Sequence, residues 1–162
     1  MSKIVIVGTS GVGKTSIIEK FVHDNFASTT STIGVAFYNY TRNQRRFQLW
    51  DTAGQEQYRA FVQFYYRQAT VVLLVFDVTD QKTFSDLDFW FDEIRKLNQC
   101  PVILVANKGD LLGSRAVTQE DAWKKALQLE TELVNTSAAN GFGINELFEK
   151  AQGLCKADVK EV

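Results

Sequence analysis

The sequence predicts an α/β protein in which a mostly parallel β-sheet is covered by helices on both faces. Three observations lead there. Short apolar runs rich in β-branched residues alternate with segments whose apolar residues recur at helical spacing. Strands separated by helices run parallel, with the helices packed on the faces. One exception stands out: Gly34 to Tyr40 and Arg45 to Trp50 are divided only by Thr41-Arg42-Asn43-Gln44. That gap is too short for a crossover, so one antiparallel hairpin is expected.

Composition sets the bounds. The 162 residues fit one domain, 1–162, with a sizeable core, and 45% hydrophobic content marks a globular chain. With 18 basic and 19 acidic residues the formal net charge is −1, which gives no electrostatic reason to expect nucleic-acid binding. Cys100 and Cys155 are the only cysteines. They form neither a disulfide framework nor a zinc site, so a reducing, cytoplasmic home is expected. A first strand from Lys3 leaves no room for a signal peptide, and the run Val71 to Phe76 is too short to span a bilayer.

Taken in order, Lys3 to Val7 reads as a buried strand. It leads into a Gly-rich turn and then a helix marked by Ile17, Ile18, Phe21 and Val22. Phe26 to Ser31 is rich in Ser and Thr without apolar period and reads as a loop. The hairpin follows, then a second irregular segment from Asp51. Val71 to Asp77 is a buried strand. Phe84, Leu87, Phe91 and Ile94 mark a helix, and Val102 to Ala106 is a strand begun after Pro101. Thr118 caps a helix reaching about Glu130, with Asp121 at its third position. Leu133 to Thr136 is the last strand. Ile144, Leu147, Phe148, Ala151 and Leu154 stripe the last helix. His23 is placed near a helix end, Trp90 and Trp123 are read as packing residues, and Arg45-Arg46 as a solvated strand end, with a partner contact left open.

The chemistry lies in three turns after strands. Gly8-x4-Gly13-Lys14-Thr15 is the phosphate-binding P-loop pattern. Glycines let the backbone curl so that several N–H groups point at one anion, and the following helix adds its N-terminal amides. Lys14 reaches the outer phosphates, and the Thr15 hydroxyl holds Mg²⁺. Asp51 ends a strand, where a carboxylate can serve the same ion. Gly54 permits close approach to a terminal phosphate, and Gln55 can orient water for in-line attack. In Asn107-Lys108-Gly109-Asp110, the Asp110 carboxylate can accept two parallel hydrogen bonds from guanine, a donor pair that adenine lacks. Asn107 ties neighbouring loops, and the Lys108 stem can lie over the base. Each turn alone has a plain structural reading; their conjunction favours a nucleotide.

With Ser31-Thr32-Ile33-Gly34-Val35, Trp50-Asp51-Thr52-Ala53-Gly54-Gln55-Glu56, Tyr65-Tyr66-Arg67 and Phe76-Asp77-Val78-Thr79-Asp80 added, the chain resembles the small GTPases of the Ras superfamily, within it the Rab family. The resemblance covers essentially the whole chain. It implies a P-loop NTPase three-layer sandwich with six strands and about five helices, and GTP or GDP with Mg²⁺ as ligands. It places Ser10, Gly11, Val12, Gly13, Lys14, Thr15 and Ser16 around the phosphates. It also gives Thr32 to Mg²⁺ and the γ-phosphate, makes residues 52 to about 66 the second switch, and sets Phe26 beside the base. Thr136-Ser137-Ala138 matches the last guanine-contacting loop, with the Ala138 N–H at the base carbonyl. Lys14 and Gln55 are implied as catalytic, and Thr15, Thr32 and Asp51 as metal ligands. Phe37, Trp50 and Tyr65 match the aromatic triad through which such proteins meet effectors; ordinary sheet packing is the alternative. Exchange factors and activating proteins are implied partners, the chain itself being expected as a monomer.

The departures are Ala139 for a usual Lys, Ala36 for a usual acid, a first switch about one residue short without its Tyr, and a short hairpin. The terminal Lys156 to Val162 holds no cysteine in a prenylation pattern. Removal of a longer tail is favoured over an unlipidated protein; with such a tail the expected location is the cytosolic face of endomembranes. The expected activity is slow GTP hydrolysis by a vesicle-trafficking switch. No built-in arginine finger is evident, although Arg59 stays a candidate. Two rivals remain: a nucleotide-bound interaction module with little hydrolysis, and a P-loop kinase.

Overall fold

The structure, a computed structural model, describes residues 1–24, 35–52 and 59–155. Along the chain run β1 (Ser2–Val7), α1 (Lys14–His23), β2 (Val35–Arg42), β3 (Arg45–Thr52), α2 (Arg59–Tyr66) and β4 (Val71–Asp77). Then come α3 (Gln81–Ser85), α4 (Leu87–Leu97), β5 (Val102–Asn107), a 3₁₀ turn at Leu112–Ser114, α5 (Gln119–Leu129), β6 (Glu132–Asn135) and α6 (Ile144–Leu154). α3 and α4 are one helical stretch split at Asp86. Counted so, five helices accompany six strands among the described residues, as the resemblance implied.

The strands form one sheet in the order β2-β3-β1-β4-β5-β6. Only β2 and β3 pair antiparallel; the other pairings are parallel. Neighbours of β1 lie on both its sides, β3 on one and β4 on the other, so the strand order reverses there. A crevice opens past the C-terminal ends at such a point. The hairpin turn is tighter than the sequence suggested. Only Asn43 and Gln44 turn, both at positive φ (50° and 62°), while Thr41 and Arg42 belong to β2. Two left-handed residues match the twist of the flanking strands.

Side chains alternate between the faces of each strand. Ile4, Ile6, Leu73, Val75, Ile103 and Val105 pack with Ile17 and Ile18 of α1 and with Leu147 and Phe148 of α6. On the other face Val5, Val7, Val72, Leu74, Phe76 and Leu104 meet Leu87, Trp90 and Ile94 of α4 and Ala122 and Ala126 of α5. Every residue of β4 is buried, which is why it reads as an unbroken apolar run and not an alternation. Each fully buried aliphatic side chain stabilises by about 1.5–3 kcal/mol. Two such faces hold the strand ends in fixed relation, and the loops of the crevice stand on those ends.

The Thr118 cap is present: its Oγ1 accepts from the Asp121 N–H at 3.1 Å. His23 is the last residue of α1, as expected. Trp90 is buried at 3% exposure, but the expectation for Trp123 is corrected, since it is 58% exposed. Ala122 and Ala126 take the inward stripe of α5, and Trp123, about 100° further round, faces solvent. Arg45 is also corrected. It is half-buried, its Nη2 donates to the Cys155 carbonyl, and its guanidinium lies 5.2 Å from the Phe47 ring centroid; Arg46 is exposed. No described helix is long and apolar enough to cross a membrane.

Candidate functional site

The turn after β1 begins the site. Gly13 sits at φ 97° and precedes α1 as its N-cap. A Cβ there would collide with the Asn107 carboxamide, and φ is left-handed besides, so glycine is required twice over. Gly13 offers no capping side chain, and α1 carries no acid in its first turn. The helix therefore presents its first amides and positive dipole end to an anion from outside.

Lys14 folds back over this turn. Its Nζ donates to the Gly8 carbonyl at 2.8 Å and the Thr9 carbonyl at 3.1 Å. The residue is 6% exposed. Burial pushes its pKa down to about 8, against the opposing pull of the Asp51 carboxylate. An ammonium that burial has made reluctant to stay charged gains from an added anion.

At the next residue, Thr15 Oγ1 donates to Asp51 Oδ2 at 2.5 Å. Register places Asp51 opposite Ile6, so the end of β3 carries its carboxylate to the edge of the P-loop turn. Thr52 Oγ1 fixes that end by donating to the Ile6 carbonyl. A hydroxyl and a carboxylate facing one point are the hard oxygen donors that Mg²⁺ takes, and they fit that ion. The uncapped helix, the buried ammonium and this oxygen pair form a donor set suited to a magnesium-bound polyphosphate.

The other half of the site stands on β5 and β6. Asn107 is 1% exposed. Its Nδ2 donates to the Val12 carbonyl at 2.9 Å, and its Oδ1 accepts from Thr136 Oγ1 at 2.9 Å. One side chain thus joins the P-loop, its own loop and the loop after β6. Lys108 takes a left-handed backbone (φ 65°). Its Nζ reaches back to the Gly11 carbonyl at 2.8 Å and pairs with Asp77 Oδ2 at 2.8 Å. Its stem therefore spans from the base loop to the phosphate loop. Asp110 is exposed, and its Oδ1 accepts from Ser137 Oγ at 2.8 Å. Ser137 and Ala138 are buried, and the Gly109 N–H donates to the Thr136 carbonyl at 3.1 Å.

So the structure brings together Ser10, Gly11, Val12, Gly13, Lys14, Thr15 and Ser16 with Asp51 on one side, and Asn107, Lys108, Asp110, Ser137 and Ala138 on the other. Phe26, Thr32, Gly54 and Gln55 lie outside the described residues, as does the Arg59 side chain. Sequence reasoning gave no role to Asp77, which anchors Lys108, or to the hydroxyl of Thr136. A carboxylate ending a wholly buried strand was the available signal for Asp77. The aromatic triad forms a continuous strip: Phe37 stacks on Trp50 with centroids 5.1 Å apart, and Trp50 lies 5.0 Å from Tyr65. Phe37 is 54% exposed, while Trp50 and Tyr65 also pack on the core below. Sheet packing thus accounts for Trp50 and Tyr65 in part, and Phe37 stands exposed at the end of the strip.

Comparison with known proteins agrees with this geometry. A model of the Ras family matches residues 3–156. The human Ras-related protein Rab-22A is 41% identical over 154 residues, which cover 90% of this chain and 79% of that protein. Ras-family GTPases bind guanine nucleotide with Mg²⁺ and act as switches read by regulators and effectors. On the family match, the identity and the site described above, the chain belongs to the Ras family, as a Rab-like small GTPase.

Proposed function

We propose that residues 1–162 form a single G domain that hydrolyses GTP slowly and signals through two switch loops in membrane traffic. The observation that carries this reading is the tie between the two halves of the site. Asn107 and Lys108, on the base-reading loop, are hydrogen-bonded to the Val12 and Gly11 carbonyls of the phosphate loop. Base and phosphate recognition are thereby set at one fixed separation.

Each residue has a task in this reading. Amides of residues 10–16 and the Lys14 ammonium bind the β- and γ-phosphates. Thr15, Asp51 and Thr32 hold Mg²⁺, which supplies charge neutralisation at the terminal phosphoryl oxygens. Asp110, aimed by Ser137, reads the guanine edge, with the Ala138 amide at the base carbonyl and Phe26 beside the ring. Gln55 orients the attacking water, and Gly54 and Thr32 sense the γ-phosphate. Because phosphoryl transfer spreads charge over the equatorial oxygens, positioning and electrostatics supply the acceleration.

Without an arginine finger, turnover is expected on the order of 10⁻⁴ to 10⁻³ s⁻¹, raised about 10³- to 10⁵-fold by a partner's arginine. Exchange factors, activating proteins and effectors are proposed to meet the switch loops and the Phe37–Trp50–Tyr65 strip. The working place is proposed to be the cytosolic face of endomembranes. Single-turnover hydrolysis tests the reading. Gln55→Leu is expected to keep GTP binding and lose most stimulated hydrolysis; undiminished turnover removes the role given to Gln55. A wild type that binds GTP and never cleaves it, even with an activating protein, is instead a nucleotide-bound interaction module.

A further inference from the structure

The first variable residue of the P-loop, Thr9, is gripped from a distant element. Its Oγ1 donates to Asp86 Oδ2 at 2.8 Å, and the indole Nε1 of Trp90 donates to the same Oγ1 at 3.2 Å. Asp86 sits at the break between α3 and α4. It is the N-cap residue of α4, yet its side chain makes no capping bond there. An aspartate at that position ordinarily stabilises its helix by bonding the amides of the first turn. Here the carboxylate is turned away, across to a hydroxyl 77 residues distant in the chain. Lys82, one turn earlier, pairs with the same carboxylate at 3.5 Å. Trp90 is 3% exposed, so its N–H is placed by packing and not by chance.

The backbone of Thr9 matters to the site. Its carbonyl is one of the two that receive Lys14 Nζ, and it also accepts from the Val12 N–H at 3.4 Å. Holding the side chain of Thr9 from outside fixes the direction of that carbonyl. We propose that Asp86 and Trp90 are positioning residues for the phosphate loop. They clamp Thr9 from the α3–α4 junction, hold the cradle in its nucleotide-binding form, and so slow the release of bound nucleotide. The inference rests on the nucleotide-binding reading above and adds to it a control point outside the pocket. Trp90 packs edge-on against Phe89, centroids 5.7 Å apart, and Phe89 is 39% exposed. The clamp is therefore one ring away from the surface.

The test is the release rate of a fluorescent GDP analogue from the full chain in Mg²⁺ buffer, chased with unlabelled GDP. Thr9→Val keeps the shape and removes the hydroxyl. Asp86→Ala removes its acceptor. Each is expected to speed release about fivefold, the equivalent of one hydrogen bond of about 1 kcal/mol. The double variant is expected to release no faster than the faster single, because both changes break the same contact. Thr9→Ser and Asp86→Asn keep the donor and an acceptor, and are expected to restore slow release to within about twofold. Independent, multiplying effects of the two changes would overturn the clamp. So would release from Asp86→Asn as fast as from Asp86→Ala, which would make charge and not the hydrogen bond the cause. A wild type that holds no GDP would instead overturn the functional reading itself.

Discussion

Replacing Lys14 by Met separates what that residue does for the fold from what it does for the ligand. Its pKa falls from 10.5 to about 8 on burial. At 1.36 kcal/mol per unit, carrying the charge at neutral pH costs the nucleotide-free fold about 3 kcal/mol. Methionine fills nearly the same volume and removes that cost. It also removes the donor to the Gly8 and Thr9 carbonyls, a loss of about 1–3 kcal/mol if a carbonyl stays unsatisfied. The two nearly offset, so nucleotide-free Lys14→Met should unfold in urea within about 2 kcal/mol of wild type. Nucleotide affinity should respond very differently. Charge-assisted hydrogen bonds contribute about 1.5–3 kcal/mol each, so GDP should bind at least about 100-fold more weakly.

The sign of the pH effect adds a check. A lysine depressed in the fold binds fewer protons there than in the unfolded chain between pH 8 and 10.5. Nucleotide-free wild type should therefore gain stability relative to Lys14→Met as pH rises through that window, by about 1.4 kcal/mol per unit. A variant that loses more than about 4 kcal/mol while still binding GDP would refute the reasoning and make Lys14 a structural strut.

Other outcomes follow from the same geometry. GDP affinity of wild type should be flat below about pH 8 and fall up to tenfold per unit above it, because the bound anion keeps Lys14 charged; calorimetry across pH 6.5–9.5 checks this. Asn107→Ala breaks the buried bonds to Val12 and Thr136, so denaturant titration should show a loss of about 2–4 kcal/mol together with weakened nucleotide binding. Asp110→Ala, at an exposed carboxylate, should leave stability within about 1 kcal/mol and erase the preference for GDP over ADP in a competition assay. Gly13→Ala, left-handed and against Asn107, should abolish GDP retention and lower the melting temperature.

Much of this was legible from residue order, for physical reasons that differ between elements. β4 was plain because burial on both faces leaves an unbroken apolar run. The P-loop and the Asn107 to Asp110 turn were plain because their chemistry needs particular residues at fixed spacing. Trp123 was misread because an aromatic on a helix says nothing about which side of it faces the core; Ala122 and Ala126, too small to stand out, had taken the inward stripe. The hairpin was legible, but its turn was drawn two residues too long because Gln44 gives no hint of its left-handed backbone. Asp77 and Asp86 went unassigned because their partners, Lys108 and Thr9, are remote in sequence and meet them only through the sheet. A local pattern can mark such a carboxylate, as the buried strand end marks Asp77, but it does not name the distant partner.

The most direct measurement is chromatography of whatever the purified protein releases when it is denatured after gel filtration in magnesium buffer. Near-stoichiometric GDP or GTP is the predicted result. No nucleotide, or an adenosine form, would contradict the claim that these strand-end loops close on a guanosine polyphosphate.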